Sequence, residues 1–185
     1  MDSRIRALEA YLVASARAGD RRALARLVEL RGDRLMAHAV RLLGDRDAAR
    51  DVVQEAWVDI LRGLRSLRDD HAFLPWALRI VTRRVAREIK RRQRGRALEA
   101  AALAEAVVTV DEAGPLASDG AKVRSAIASL PRDQAATVAL FYLEDLSVGE
   151  VATALDVPVG TVKTRLMHAR RKLRDLLEGE DDEQD

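Results

Sequence analysis

The residues best suited to grip a polyanion sit in "PVGTVKTRLMHARRKLR", residues 158–174, which carries seven basic side chains with His168 counted and no acid. Val162, Leu166, Ala169 and Leu173 recur at helical spacing, so one stripe can be buried while the opposite face stays in water. Thr161, Thr164, His168 and Arg171 fall opposite that stripe, with Lys163 and Arg165 at its shoulders. Short hydroxyls near the start of such a helix can meet base edges or phosphates. Lys163 and Arg165 can reach phosphates flanking a groove, and His168 or Arg171 can read a base edge.

A second cationic run lies upstream. From Arg79 to Arg96 there are nine basic residues and one acid, Glu88. Leu78, Val81, Val85 and Ile89 define a buried side, and Trp76, Arg79, Arg83, Arg87, Lys90 and Arg94 fall opposite. Cations that track a backbone beside a ring that stacks on a base are what unstacked single-stranded DNA requires. The tryptophan has an equally good reading as a core residue closing one end of the helix. Residues 48–64 contrast with this face. Val53, Ala56, Trp57, Ile60 and Leu64 point inward, while Asp51, Gln54, Glu55 and Asp59 surround an outward Val58. That acidic surface repels DNA and suits a basic protein helix.

The elements that must position these faces are helical nearly throughout. Helices are expected over 4–17, 20–31, 33–43, 48–64 and 71–94, with breaks at "AGD" and "LGD", and with Asp45 or Asp47 as a cap for the fourth. Pro75 falls in a first turn, where a missing amide is tolerated. In "LSVGEVATALDVPVGTVKTRLMHARRKL", Ser147 and Glu150 have capping-box spacing, and Val148, Val151, Ala152 and Leu155 form an inner face. Pro158 disfavours helix at Val157 and opens the next element. The product is a helix-turn-helix with its second helix at about 159–175. Upstream of it Val138, Phe141, Tyr142 and Leu146 read as core. The fold class is therefore all-α: two small helical domains, 1–96 and 121–177, joined by a linker at 97–120 and followed by an acidic tail at 178–185. A unit as small as the second is marginal by itself.

Composition narrows the chemistry. The 185 residues have a net charge of only +2, so distribution matters more than total: two basic segments flank an acidic spacer, an arrangement for two contacts with one long polyanion. With no cysteine in the chain, disulfides, thiol catalysis and cysteine–zinc sites are excluded. His38, His71 and His168 are scattered, and no nucleophile–base pair, metal cluster or phosphate-cradling glycine loop is evident. No enzyme activity, cofactor or metal is expected. No secretory leader or membrane span is read, which is compatible with the cytoplasm.

These segments resemble the extracytoplasmic-function group of sigma-70 type bacterial transcription initiation factors. "RLLGDRDAARDVVQEAWVDIL" is similar to that family's polymerase-core-binding helix, and "FLPWALRIVTRRVAREIKRR" to the helix that binds and opens the −10 element. "SLPRDQAATVALFYLEDLSVGEVATALDVPVGTVKTRLMHARRKLRDLL" resembles its −35-binding domain. The resemblance implies core contacts at Asp51, Gln54, Glu55, Val58 and Asp59, and a −10 surface at Trp76, Arg79, Arg83, Arg84, Arg87 and Lys90. It implies −35 contacts at Thr161, Lys163, Thr164, Arg165, His168 and Arg171, and a base-capturing loop at "RSLRDDHA", 65–72. The implied partners are RNA polymerase core, promoter DNA (duplex at −35, single-stranded at −10) and an anti-sigma factor. Arg83 and Arg87 stand where the family pattern has an asparagine and an aspartate, which makes the −10 face more basic and its DNA affinity more salt-sensitive. The competing reading is a stand-alone helix-turn-helix regulator of the response-regulator output type, which would need a βα receiver-like domain in front.

Overall fold

The computed structural model describes residues 3–102 and 126–179. Among the described residues the architecture rests on α1 (Ser3–Arg17), α2 (Arg21–Leu43), α3 (Arg46–Gly63), α4 (Phe73–Ala102), α5 (Arg132–Val138), α6 (Val148–Leu155) and α7 (Val159–Gly179). There is no strand among the described residues, so nothing there matches the βα domain that the competing reading requires. No helix among them is long and apolar enough to cross a membrane.

Caps explain where several helices begin. Asp20 accepts from the amides of Arg22 and Ala23 at the start of α2, and Asp45 from those of Asp47 and Ala48 at the start of α3. The cap of α3 is thus Asp45 and not Asp47. At α6 the expected capping box is complete: the Ser147 amide donates to Glu150 Oε2 at 2.7 Å, and the Glu150 amide to Ser147 Oγ at 3.3 Å.

Three elements differ from the sequence expectation. The helices expected over 20–31 and 33–43 are one, and α2 runs unbroken through Gly32. A helical glycine costs only about 1 kcal/mol relative to alanine, and Leu27, Arg31, Leu35 and His38 keep one uninterrupted buried face across it. Helix α4 continues to Ala102, so the first residues of the expected linker extend the helix; the rest of 97–120, like the tail from 180, lies outside the described residues. Finally, Tyr142 is not core but 51% exposed. Residues 139–143 widen into a π turn, which offsets the helical register. Its hydroxyl accepts from Arg170 Nε at 2.7 Å, and that guanidinium lies over the ring.

Helices α1–α4 pack around Val13, Leu27, Leu35, Ala39, Ile60, Phe73, Leu78 and Val81, all essentially sealed from solvent. A buried ion pair between Arg31 and Glu9 crosses from α2 to α1 within this bundle. Helices α5–α7 form the second unit around Leu140, Val151, Leu155, Val162, Leu166 and Ala169. The helix-turn-helix lays α6 along α4, and the apolar side chains of both units join in one contiguous core. Arg132 of α5 packs against Gly44, the left-handed residue that ends α2 (φ 70°).

Candidate nucleic-acid and polymerase interfaces

The acidic face of α3 is where the sequence puts it. Asp51, Gln54 and Glu55 are exposed, Asp59 is half-buried, and Val58 presents 44% of its surface beside an equally exposed Leu61. Behind it runs a cleft of about 680 Å³ between α3 and α4, lined among others by Asp45, Asp51, Glu55, Arg84, Glu88 and Arg92. Arg84 crosses this cleft, its Nη1 2.6 Å from Glu55 Oε2 and its Nη2 2.6 Å from Asp59 Oδ2. Asp59 foremost, then Glu55, holds that guanidinium protonated more firmly than usual. Arg84 thus belongs to the acidic cleft more than to the outer face of α4.

Along α4 the basic ladder divides into engaged and unengaged members. Glu88 binds Arg91 and Arg92, which hold its carboxyl down to about 2. Arg92 also reaches Asp45, whose carboxyl lies below the ordinary range chiefly because the Ala48 amide donates to it. Arg87, Lys90 and Arg94 are exposed, with no ion pair among the described residues. Trp76 is half-buried, its ring tilted against Phe73 with centroids 6.0 Å apart and seated over Gly63, where an added Cβ would meet it at 3.0 Å. The 65–72 segment is held in place by Arg17 of α1, which donates to the Leu67 carbonyl at 2.8 Å and pairs with Asp70 at 3.0 Å. Arg65, Ser66, Arg68, Asp69 and His71 remain exposed around it.

On α7, Val162, Leu166 and Ala169 are buried and Leu173 partly so, leaving Lys163, Thr164 and Arg171 in solvent with Thr161 and His168 half-exposed. Thr164 donates back to the Gly160 carbonyl at 3.1 Å, which leaves its oxygen free to accept. Arg165 is drawn aside by Asp133 of α5 at 3.1 Å.

Three participants escaped sequence reasoning: Asp133, Thr82 and Asp156. Asp156 is the left-handed turn residue (φ 56°) between α6 and α7. Its carboxylate accepts from Arg79 Nε and from Arg83 Nε, each at 2.9 Å. Between those arginines, Thr82 donates to the Ala154 carbonyl at 2.7 Å and lies 2.9 Å from His38 Nε2. Only the "DVP" turn hinted that an acid would stand here, and nothing in it identified α4 as the partner.

An all-helical chain with an acidic docking face, an arginine-lined helix and a helix-turn-helix is a DNA-binding protein built to work with a second protein. Known families agree: Sigma-70 region 2 matches residues 27–95, and Sigma-70, region 4 matches residues 121–173. The RNA polymerase sigma-H factor of Pseudomonas aeruginosa is 30% identical over 185 residues, covering 90% of this chain and 92% of that one. The ECF RNA polymerase sigma factor SigW of Bacillus subtilis is 28% identical over 172 residues, covering 86% and 91%. Among solved structures, the sigma factor RpoE in complex with the anti-sigma factor NepR from Bartonella quintana has a TM-score of 0.65 at 22% identity, covering 84% of this chain and 96% of that one. The chain belongs to the extracytoplasmic-function group of sigma-70 type RNA polymerase sigma factors. As a sigma factor its partners are RNA polymerase core and promoter DNA.

Proposed function

We propose that the two units divide promoter recognition between them and that α3 carries the contact with polymerase. The exposed face of Asp51, Gln54, Glu55 and Val58 docks on the core enzyme, with Asp59 supporting it through Arg84. The outer face of α4, above all Arg83, Arg87 and Lys90, tracks the backbone of the opened −10 strand. Trp76 closes the end of that face, and the 65–72 loop receives an unstacked base. Helix α7 enters the major groove at −35 with Thr161, Lys163, Thr164 and His168 foremost, and Arg165 and Arg171 on flanking phosphates. The chain acts in the cytoplasm and performs no chemistry of its own, since polymerase forms the phosphodiester bonds. An anti-sigma factor, such as the one bound to the similar RpoE fold, is a further partner.

The observation that carries this reading is the segregation of charge onto adjacent helices: acids on the outer face of α3, unengaged cations on the outer face of α4 and on α7. The test is transcription in vitro with purified core over a promoter library. Asp51→Ala should weaken association with core, Lys163→Ala should weaken use of the −35 element, and Arg87→Ala should impair strand opening with core binding intact. Tight, selective binding to a short duplex in the absence of core would overturn the division of labour.

A further inference from the structure

We propose that Arg17 of α1 is a positioning residue for base selection at the −10 element. It staples the two turns of the 65–72 loop, so that Arg68 and Asp69, which stand between them, meet an unstacked base from a fixed frame. The inference rests on the reading of that loop as the base receiver. One turn hangs from the end of α3, where the Leu67 amide donates to the Leu64 carbonyl at 3.2 Å and Ser66 Oγ to the Gly63 carbonyl at 2.7 Å. The other leads into α4, where the His71 amide donates to Asp69 Oδ1 at 2.9 Å and the Ala72 amide to the Asp69 carbonyl at 3.1 Å. Each of these bonds stays within its own turn and does not set how the two turns lie to each other.

Arg17 reaches both turns. Its Nη1 donates to the Leu67 carbonyl at 2.8 Å in the first. In the second, Nη1 lies 3.0 Å from Asp70 Oδ1, and Nη2 donates to Asp70 Oδ2 at 3.2 Å. A planar guanidinium that holds a carbonyl and a carboxylate together fixes direction as well as distance. Both partners are half-buried, so salt screens this grip less than it would a pair in open water. The gripped residues bracket Arg68 and Asp69, whose side chains stay exposed. A group that reads a base edge must be held to within about 0.5 Å of its productive place, and the staple supplies that constraint. Arg17 lies outside residues 27–95, the part that matches Sigma-70 region 2, so the loop takes its shape from a helix beyond the matched segment.

The test is transcription in vitro by core enzyme reconstituted with the full-length chain, over promoters randomised across the −10 element. Arg17→Met keeps the apolar stem and removes the donors. It should flatten the base preference at one −10 position by about tenfold, the discrimination that a good base contact supplies, with core affinity and use of the −35 element unchanged. Asp70→Asn leaves the Leu67 grip and should flatten the same position less. The double variant should match Arg17→Met, because residues that act through one contact are not additive. Arg26→Met, which breaks an exposed pair with Glu29 on α2, is the charge-matched control and should leave the preference as it is. A loss shared alike by every promoter with the base ranking kept, or losses that add in the double variant, would make Arg17 mere scaffold and overturn the proposal. If Arg68→Ala and Asp69→Asn shift the preference while Arg17→Met does not, the staple alone is refuted. If all three leave it untouched, the loop does not receive the base, and the staple falls with that reading.

Discussion

Acid should destabilise this protein through His38. The side chain is fully buried, and its Nε2 lies 2.9 Å from Thr82 Oγ1. The Thr82 hydroxyl spends its one hydrogen on the Ala154 carbonyl, so it accepts from His38, which fixes the Nε2–H tautomer. A second proton must go on Nδ1, which is buried with no acceptor. Burial first, and Arg41 second, push the imidazole from an ordinary 6.5 down to about 3. The unfolded chain therefore binds a proton that the folded chain refuses between those two values. Folding stability is intact above pH 6.5 and falls as the pH drops through the window toward 3, at up to about 1.4 kcal/mol per pH unit. Between roughly pH 7 and pH 4.5 the loss assignable to this one group is about 2.5 kcal/mol. Urea unfolding of the wild type and of His38→Gln at the two pH values isolates it, because the carboxylates common to both cancel. The glutamine amide can still donate to Thr82. The wild type should lose about 2.5 kcal/mol more than the variant on acidification. Equal losses would refute the buried, neutral imidazole.

Other perturbations probe the scaffold. Glu9→Ala removes the carboxylate that neutralises Arg31 in the α1–α2 seam, where both side chains are sealed from solvent. A drop of about 3–5 kcal/mol in unfolding free energy is expected, larger than any substitution on the exposed face of α3 should produce. Ser147→Ala breaks the capping box of α6 and should cost about 1 kcal/mol, measured by thermal denaturation. Gly44→Ala should cost a comparable amount, because its left-handed backbone (φ 70°) disfavours a side chain, while the Arg132 guanidinium nitrogen 2.6 Å from the new Cβ is the end of a flexible side chain that can swing aside.

Much of this was readable from residue pattern alone, and the limits of reading have identifiable causes. The helix-turn-helix announced itself because its signals are local: Ser147 and Glu150 three apart, Pro158 at the turn, and an apolar stripe from Val162 to Leu173. The acidic surface of α3 was legible for the same reason, since periodicity alone decides which side chains face water. Gly32 misled because a helix breaker in sequence is overridden when the residues on both sides keep one buried face. Tyr142 misled because a π turn changes the period on which the wheel depends. Periodicity also showed which arginines leave the core, though not what they meet there. Arg84 turns to Glu55 and Asp59, Arg165 to Asp133, and Arg79 with Arg83 to Asp156, and each of those partners lies at least 25 residues away in the chain.

The length of α4 has a mechanical consequence. At 30 residues it is about 45 Å from end to end, and among the described residues the side chains it seals from solvent run from Phe73 to Val85, with Ile89 partly buried beyond them. The turns beyond are fastened by charge instead, Glu88 to Arg91 and Arg92, and Arg92 to Asp45 at the start of α3. A seam closed by ion pairs and not by apolar packing loosens as salt is added, so this part of the helix should answer to ionic strength before the bundle beneath it does.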